Sequence, residues 1–541
     1  MDFFAQQDQA RKKTKWLILY FSLAVISMIA MIYGVAIFAS AYVGMRHSSF
    51  SDQHYGYSSW GINFWDPKLF AEVALGTIVV IFLGSTYKTM SLFGGGSAVA
   101  ESLGGRLVAS NTDDPDERKL LNVVEEMSIA SGVAMPQVYV LDQEEGINAF
   151  AAGHSTSDAA VTVTRGCLRT LTRDELQGVI GHEFSHILNG DMKLNLRLIG
   201  ILFGIFCIAT IGRILLYTRG NSRDKNPLPI VGLALLVIGS LGVFFGRLIQ
   251  AAVSRQREFL ADASSVQFTR NPSGLSHALQ KIGHSGLGSR LESPHASDAS
   301  HLFFANGLAD SLFGMMATHP PIEQRIKAID PTWDGKYAPL DLRQAEVVRG
   351  NMLGELKPKA PPLPDSFRTV LGGVILSSDD RKPPVIKTRY VLPNLGNPTP
   401  LHLKYAEDMR AALPENLKTA VREPLDAVAL IYALLLSADE KMRATQTAEI
   451  SQRVSSAVSE KSSALFSDVQ KTGTAARLPL VNLALGALKQ LSAEQFQNFS
   501  QTLTWLIQSD GEVELFEFVL QKIVQRNLAT KFNDARPAAV Q

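Results

Sequence analysis

The chain has 541 residues, with 52 basic against 51 acidic side chains, a formal charge of +1 and 46% hydrophobic residues. That length leaves room for several domains, and the near-neutral balance speaks against a nucleic-acid partner. Two cysteines, Cys167 and Cys207, exclude a disulfide framework and agree with a reducing compartment.

Four apolar runs lie in the first half of the chain: Trp16 to Val43, Leu69 to Tyr87, Leu198 to Tyr217 and Leu228 to Val253. Each is long enough to cross about 30 Å of hydrocarbon, so four transmembrane helices are expected. The alternative, core helices of a soluble protein, applies only to the third and fourth, which Arg213 and Arg247 interrupt. Arg11, Lys12, Lys13 and Lys15 precede the first run, whereas Arg46 to Lys68 carries few positive charges; the N-terminus is therefore expected to be cytoplasmic. The first run is too long for a signal-peptide core and has no small-residue cleavage site after it, so it should remain as an anchor. Arg219, Arg223 and Lys225, between runs three and four, are unusual for an external loop and point to a tilted or partly inserted hairpin.

Between the second run and the third, Gly94-Gly95-Gly96 and Gly104-Gly105 read as a flexible connection, since no Lys-Ser/Thr follows to make a phosphate loop. Asp113-Asp114-Pro115 predicts a helix start for a segment through Ala130. Gln137 to Leu141, Asn148 to Gly153 and Ala159 to Thr164 predict short strands. A capping box of Thr172 and Glu175 then opens a helix with an apolar stripe of Leu176, Val179, Ile180, Ile187 and Leu188.

On that helix lies His182-Glu183-Phe184-Ser185-His186. Histidines at i and i+4 share a helical face and can converge on one metal ion, and the glutamate after the first can take the proton of a water attacking a peptide carbonyl. The bland reading is a surface helix with two histidines. A catalytic zinc needs a third protein ligand on the same side of the membrane, and two crossings return the chain there just after Val253. In Ser254-Arg255-Gln256-Arg257-Glu258-Phe259-Leu260-Ala261-Asp262, Glu258 and Asp262 are at i and i+4. Glu258 can then bind the metal while Asp262 orients a ligand histidine. Spacing alone leaves an ordinary charged turn equally open.

These pieces resemble the HtpX-like membrane-bound zinc metalloproteases, relatives of the CAAX prenyl proteases. The matching segments are NAFAAG (Asn148 to Gly153), HEFSH followed by Asn189-Gly190-Asp191, SRQREFLAD (Ser254 to Asp262), and THPP (Thr318 to Pro321) followed by Arg325. They fall in order over about residues 10 to 330. The resemblance implies one Zn2+ per chain held by His182, His186 and Glu258, with Glu183 as general base and Asp262 behind a ligand. It also implies that Asn148 and His319 lie near the scissile carbonyl, where they can hydrogen-bond an oxyanion, and that Arg325 partners the carboxylates of the site. Without it, Asn148 reads as a strand end and His319 as a turn residue. An unpaired strand edge at Asn148, Ala149 and Phe150 is expected to take an extended substrate by β-augmentation.

Beyond residue 330 a proline-rich stretch reads as a linker, and helical runs follow at Leu425 to Ser437, Leu478 to Leu491, Phe496 to Gln508 and Val513 to Arg526. This last region faintly resembles the TerB-like helical domains through Ser509-Asp510-Gly511 before an acidic helix. The expected fold is a mainly α integral-membrane protein: an anchor over 1–92, a zincin-type catalytic domain of helices and a small sheet over 93–335 with a transmembrane hairpin inside it, a linker over 336–400, and an all-α soluble domain over 401–541. The expected function is a zinc endopeptidase of the bacterial inner membrane, active at the cytoplasmic face on misfolded or damaged membrane proteins. Its partners are then unfolded or membrane polypeptides and the lipid bilayer, with an adaptor or a second copy of the chain as candidates for the C-terminal helices. The alternatives are a narrow processing protease and a membrane scaffold with a structural zinc.

Overall fold

The computed structural model describes residues 3–48, 64–91, 95–218, 228–285, 288–293, 302–305, 319–337, two short strands within 370–375, and 400–532. Two long helices come first, α1 (Phe3–Ser48) and α2 (Pro67–Ser91), and a short one, α3 (Gly95–Ser102), leads to strand β1 (Arg106–Leu107). There follow α4 (Pro115–Ser131), β2 (Gln137–Leu141), β3 (Ala149–Ala152), β4 (Ala160–Thr164), α5 (Arg165–Thr170) and α6 (Arg173–Asn189). The catalytic half then runs through α7 (Asp191–Leu216), α8 (Leu228–Thr269), α9 (Pro272–His284) and α10 (Ile322–Ile329).

Among the described residues, four helices are long and apolar enough to cross a membrane, with spans at Leu19–Ala41, Pro67–Ser91, Asp191–Leu216 and Leu228–Thr269. Leu23, Ile26, Phe38, Leu75, Phe82, Ile214 and Ile230 lie exposed on their outer faces, as side chains solvated by lipid must. With no hydrophobic drive between helices inside a bilayer, close approach depends on small residues. A Cβ on Gly204 of α7 would sit 2.3 Å from the carbonyl oxygen of Ile81 in α2, and one on Gly212 would sit 2.7 Å from that of Gly232 in α8. The link between α7 and α8, with Arg219, Arg223 and Lys225, lies outside the described residues, as does most of the proline-rich stretch.

The sheet has the order β1-β2-β4-β3, with β2 and β4 parallel and the two outer pairs antiparallel. β1 is a strand that two residues of sequence did not announce. Asp114 caps α4 by accepting from the Asp116 backbone N–H, and Thr172 and Glu175 cap α6 reciprocally, as their spacing predicts. One expectation is corrected at the glycines: Gly95 and Gly96 are not a flexible connection but the buried start of α3. A Cβ on Gly96 would meet the Ala152 carbonyl oxygen at 2.2 Å, so only glycine lets this helix lie against the sheet.

Residues 400–532 are helical throughout, from Pro400–Ala412 to Leu515–Phe532, and four of their α-helices (Pro400–Ala412, Glu415–Ala420, Glu440–Arg453 and Ser456–Thr472) were not read from sequence. These helices share one apolar core with the catalytic half, running from Val124 and Met127 of α4 to Leu403, Met409, Leu480 and Leu503. The Met135 backbone N–H donates to the Asn482 carbonyl at 3.0 Å. Beside it, Arg422 reaches Glu125 at 2.7 Å and Arg410 reaches Glu126 at 3.1 Å.

Candidate metal centre

α6 sets His182 and His186 one turn apart on a buried face, with their Nε2 atoms 3.2 Å from each other. α8 passes from its membrane span straight into the site and brings Glu258 beside them. One oxygen of Glu258 is 3.5 Å from His182 Nε2 and the other 3.6 Å from His186 Nε2. A tetrahedral ion with bonds of about 2.0–2.1 Å places its ligand atoms roughly 3.3 Å apart. The two Nε2 atoms stand at that spacing, and each faces one oxygen of the Glu258 carboxylate at close to it. One ligand atom from each residue lies within 4.8 Å of the other two.

The chemistry of the donors agrees with the spacing. His182 Nδ1 is 2.9 Å from Asp262 Oδ1, and His186 Nδ1 is 2.9 Å from Asp191 Oδ2. An ionised carboxylate only accepts, so this network assigns the ring proton to each Nδ1 and turns each Nε2 lone pair toward the shared centre. Two lone pairs and a carboxylate oxygen at this range repel unless a cation lies among them. Burial presses His182 toward its neutral form, yet Asp262 and Glu258 outweigh it and lift its pKa to about 9. The His186 pKa is lowered, by burial and then by the charge on His182. With both Nδ1 atoms held by carboxylates and both Nε2 atoms facing Glu258, the residues fit a divalent metal.

Glu183 is buried beside these groups, and among the described residues neither of its oxygens finds a hydrogen-bond partner of normal geometry, the nearby Ala151 N–H lending only a weak pull. Burial raises its pKa, and the two histidines offset part of that rise. Arg325 of α10 is wholly buried and grips Asp262 with two bonds, Nε to Oδ2 at 2.8 Å and Nη2 to Oδ1 at 2.7 Å. It also lies 3.6 Å from Glu258. Arg325 thus faces both carboxylates that α8 brings to the cluster. His319 comes to the same cluster, its Nδ1 being 3.0 Å from Glu258 Oε2.

Two expectations for substrate contact are corrected. The Asn148 amide has no proton left for an oxyanion, because Nδ2 donates to the carbonyls of Ser289 at 2.8 Å and Ala305 at 3.1 Å. Its Oδ1 accepts from the Ala149 backbone N–H, so Asn148 is a clamp between β3 and two distant loops. Nor is the edge at Ala149 and Phe150 unpaired. The Phe304 N–H donates to the Ala149 carbonyl at 2.7 Å, and Phe150 is bridged to Phe303, their rings 5.7 Å apart. The chain's own residues 302–305 occupy that edge, and Phe304 stands against the His182 ring with Arg325 over its face.

From sequence, Asp191 is named only as part of the segment after HEFSH, with no role. It lies five residues after His186, off the regular helical face, and reaches that ring only because Gly190 turns the chain through a left-handed conformation at φ 71°. The two cysteines are free, and burial pushes the Cys167 thiol up to about 12.

Residues 114–332 match the model of peptidase family M48. A protease HtpX homologue of Streptococcus uberis is 37% identical over 262 residues, 47% of this chain and 85% of that protein. A homologue of the same name from Thermoanaerobacter pseudethanolicus is 42% identical over 229 residues, 40% of this chain and 73% of its own length. One from Streptococcus equi is 35% identical over 263 residues, covering 86% of that protein. With a metal-ligand cluster built where a helix from the membrane meets the HEFSH helix, and with relatives matched over most of their length, the chain belongs to peptidase family M48 as an HtpX-like membrane metalloprotease.

Proposed function

We propose that this protein is a zinc endopeptidase that hydrolyses misfolded or damaged membrane proteins at the cytoplasmic face of the bacterial inner membrane. Two imidazoles and one carboxylate converging within 4.8 Å suit zinc, and three protein ligands rather than four among the described residues leave the position that catalysis needs. A bound zinc ion supplies Lewis acidity to the scissile carbonyl and lowers the pKa of water at the site. His182, His186 and Glu258 hold the ion; Asp262, pinned by Arg325, orients His182. Glu183 takes the proton of the attacking water and passes it to the leaving amine nitrogen. His319 steadies Glu258 through Nδ1 and donates from Nε2 to the developing oxyanion. The basic residues Arg11 to Lys15 before the first span support a cytoplasmic N-terminus, and two spans return the chain to that side.

The observation that carries the reading is Glu183, a carboxylate buried beside a three-ligand cluster and without a hydrogen-bond partner of normal geometry among the described residues. A structural zinc site has no use for such a base. The test is zinc content together with cleavage of an unfolded model protein by the detergent-purified chain and its Glu183→Gln variant. Equal zinc in both, with cleavage by the wild type alone, supports the proposal; zinc without cleavage in either moves the reading to a narrow processing protease or a scaffold. His319→Ala is expected to keep its zinc and to lower kcat by roughly 10²–10³, the loss of one oxyanion donor.

A further inference from the structure

Each histidine of the cluster is backed by a carboxylate, and each carboxylate is backed by an arginine. On one side the order is His182, Asp262, Arg325. On the other it is His186, Asp191, Arg257, where Arg257 pairs with the Asp191 oxygen that does not face the ring. Asp191 is 2% exposed, and among the described residues its two oxygens face His186 and Arg257. The first relay is closed by soluble helix α10. The second is built entirely from the ends of the membrane hairpin: Asp191 is the first residue of α7, and Arg257 lies in α8 just past its apolar stretch and one residue before Glu258.

We propose that Asp191 and Arg257 are positioning residues for the metal, fixing the tautomer and tilt of His186 from the base of the α7–α8 hairpin. The inference rests on the metal-protease reading above. Its physical content is that a ligand histidine whose Nδ1–H is held by a carboxylate is more basic at Nε2 and loses less freedom on binding. Arg257 holds that carboxylate in place from the other leg of the hairpin, as Arg325 holds Asp262. Because the carboxylate and the arginine leave from the two legs of one hairpin, the geometry of His186 depends on how those legs sit together. A catalytic half cut free of its membrane hairpin is thereby cut free of half its metal site.

The test is metal affinity of the full chain in detergent, by competition with a chromophoric zinc chelator, together with the absorption spectrum of the cobalt-substituted protein. Asp191→Asn keeps the shape of the side chain and removes its charge; it is expected to weaken zinc about 10- to 100-fold and to shift the cobalt bands, which report ligand geometry. Arg257→Ala should move both readouts in the same direction, with Arg257→Lys between it and wild type. A purely structural role lowers the melting temperature but leaves the cobalt spectrum of the loaded protein unchanged. Wild-type affinity and spectrum in Asp191→Asn overturn the inference while leaving the protease reading intact, whereas failure of the wild type to bind zinc overturns the reading itself. Should Asp191→Asn not fold, the Arg257→Lys and Arg257→Ala pair decides: wild-type affinity and spectrum in both overturn the inference.

Discussion

Among the carboxylates that the protein buries, those at the metal centre and those between α4 and the C-terminal helices are built differently. Around the metal, Asp262 and Arg325 are 3% and 0% exposed at their side chains, and every partner is another buried group. Between α4 and the C-terminal helices, Glu125 and Glu126 are just as deep, at 6% and 2%, but Arg422 and Arg410 each keep 21% of their side chains exposed. A charge with a partner in water has a second way to be solvated; a charge without one has only its neighbours. The first arrangement is costly and useful for chemistry, and the second is a fastening. Breaking the metal cluster should therefore damage fold and function together, whereas breaking the other should loosen an attachment and leave the metal in place.

Arg325→Ala breaks the first arrangement most severely. It strands the Asp262 carboxylate, with a cost of about 3–5 kcal/mol typical of one orphaned partner in a buried pair. The expected outcome is a protein that fails to accumulate in the membrane, or one whose unfolding transition in detergent is lost, with recovery by Arg325→Lys incomplete because one ammonium cannot grip both carboxylate oxygens. Normal accumulation and melting of Arg325→Ala would show that Asp262 has another source of solvation.

Metal removal acts on the same place without a mutation. Taking the ion away leaves two Nε2 atoms and Glu258 facing each other, and it forfeits the linkage stabilisation that a tightly bound ligand provides, about 2.7 kcal/mol at a hundredfold excess over its Kd. Chelation should lower the melting temperature by several degrees, and added zinc should restore it. The comparison is sharpened by Arg422→Ala, which leaves Glu125 buried without its two-pronged partner at a cost of about 1–3 kcal/mol. In that variant limited proteolysis should release the C-terminal helices sooner, while zinc affinity stays at the wild-type value.

The same contrast explains what could be read from sequence. The metal helix announces itself because its chemistry is periodic: two histidines four residues apart, a glutamate between them and a capping box in front. Glu258 and Asp262 repeat that spacing on a second helix. Asp191 breaks the period through the turn at Gly190, so no helical face predicts its contact with His186. Asn148 and the edge of β3 were misread because their partners, Ser289 and residues 303–305, lie more than 140 residues away and carry no pattern of their own. The C-terminal fastening was invisible for the same reason, since Arg410 and Arg422 lie 284 and 297 residues from the glutamates they hold. Apolar spans and helix caps are local and were legible; the short helices from Pro400 to Thr472 that go unpredicted are held by tertiary packing instead.

The smallest effect expected is a pH dependence at that fastening. Burial raises the pKa of Glu126, and Arg173 and Arg410 hold it down only in part. A carboxyl with a folded pKa above its unfolded value favours the folded state in its neutral form: that contribution is fully present below the unfolded pKa and is lost as pH rises through the folded one. Removing Arg410 takes away a partner that matters only to the ionised form, which moves the folded pKa higher still. The destabilisation of Arg410→Ala should thus be largest at neutral pH and shrink as pH falls into the carboxylate range, where Glu126 takes up a proton and no longer needs the arginine. Melting curves of wild type and Arg410→Ala across that range check the sign. A gap that widens toward acid would mean that Arg410 acts through a group other than Glu126.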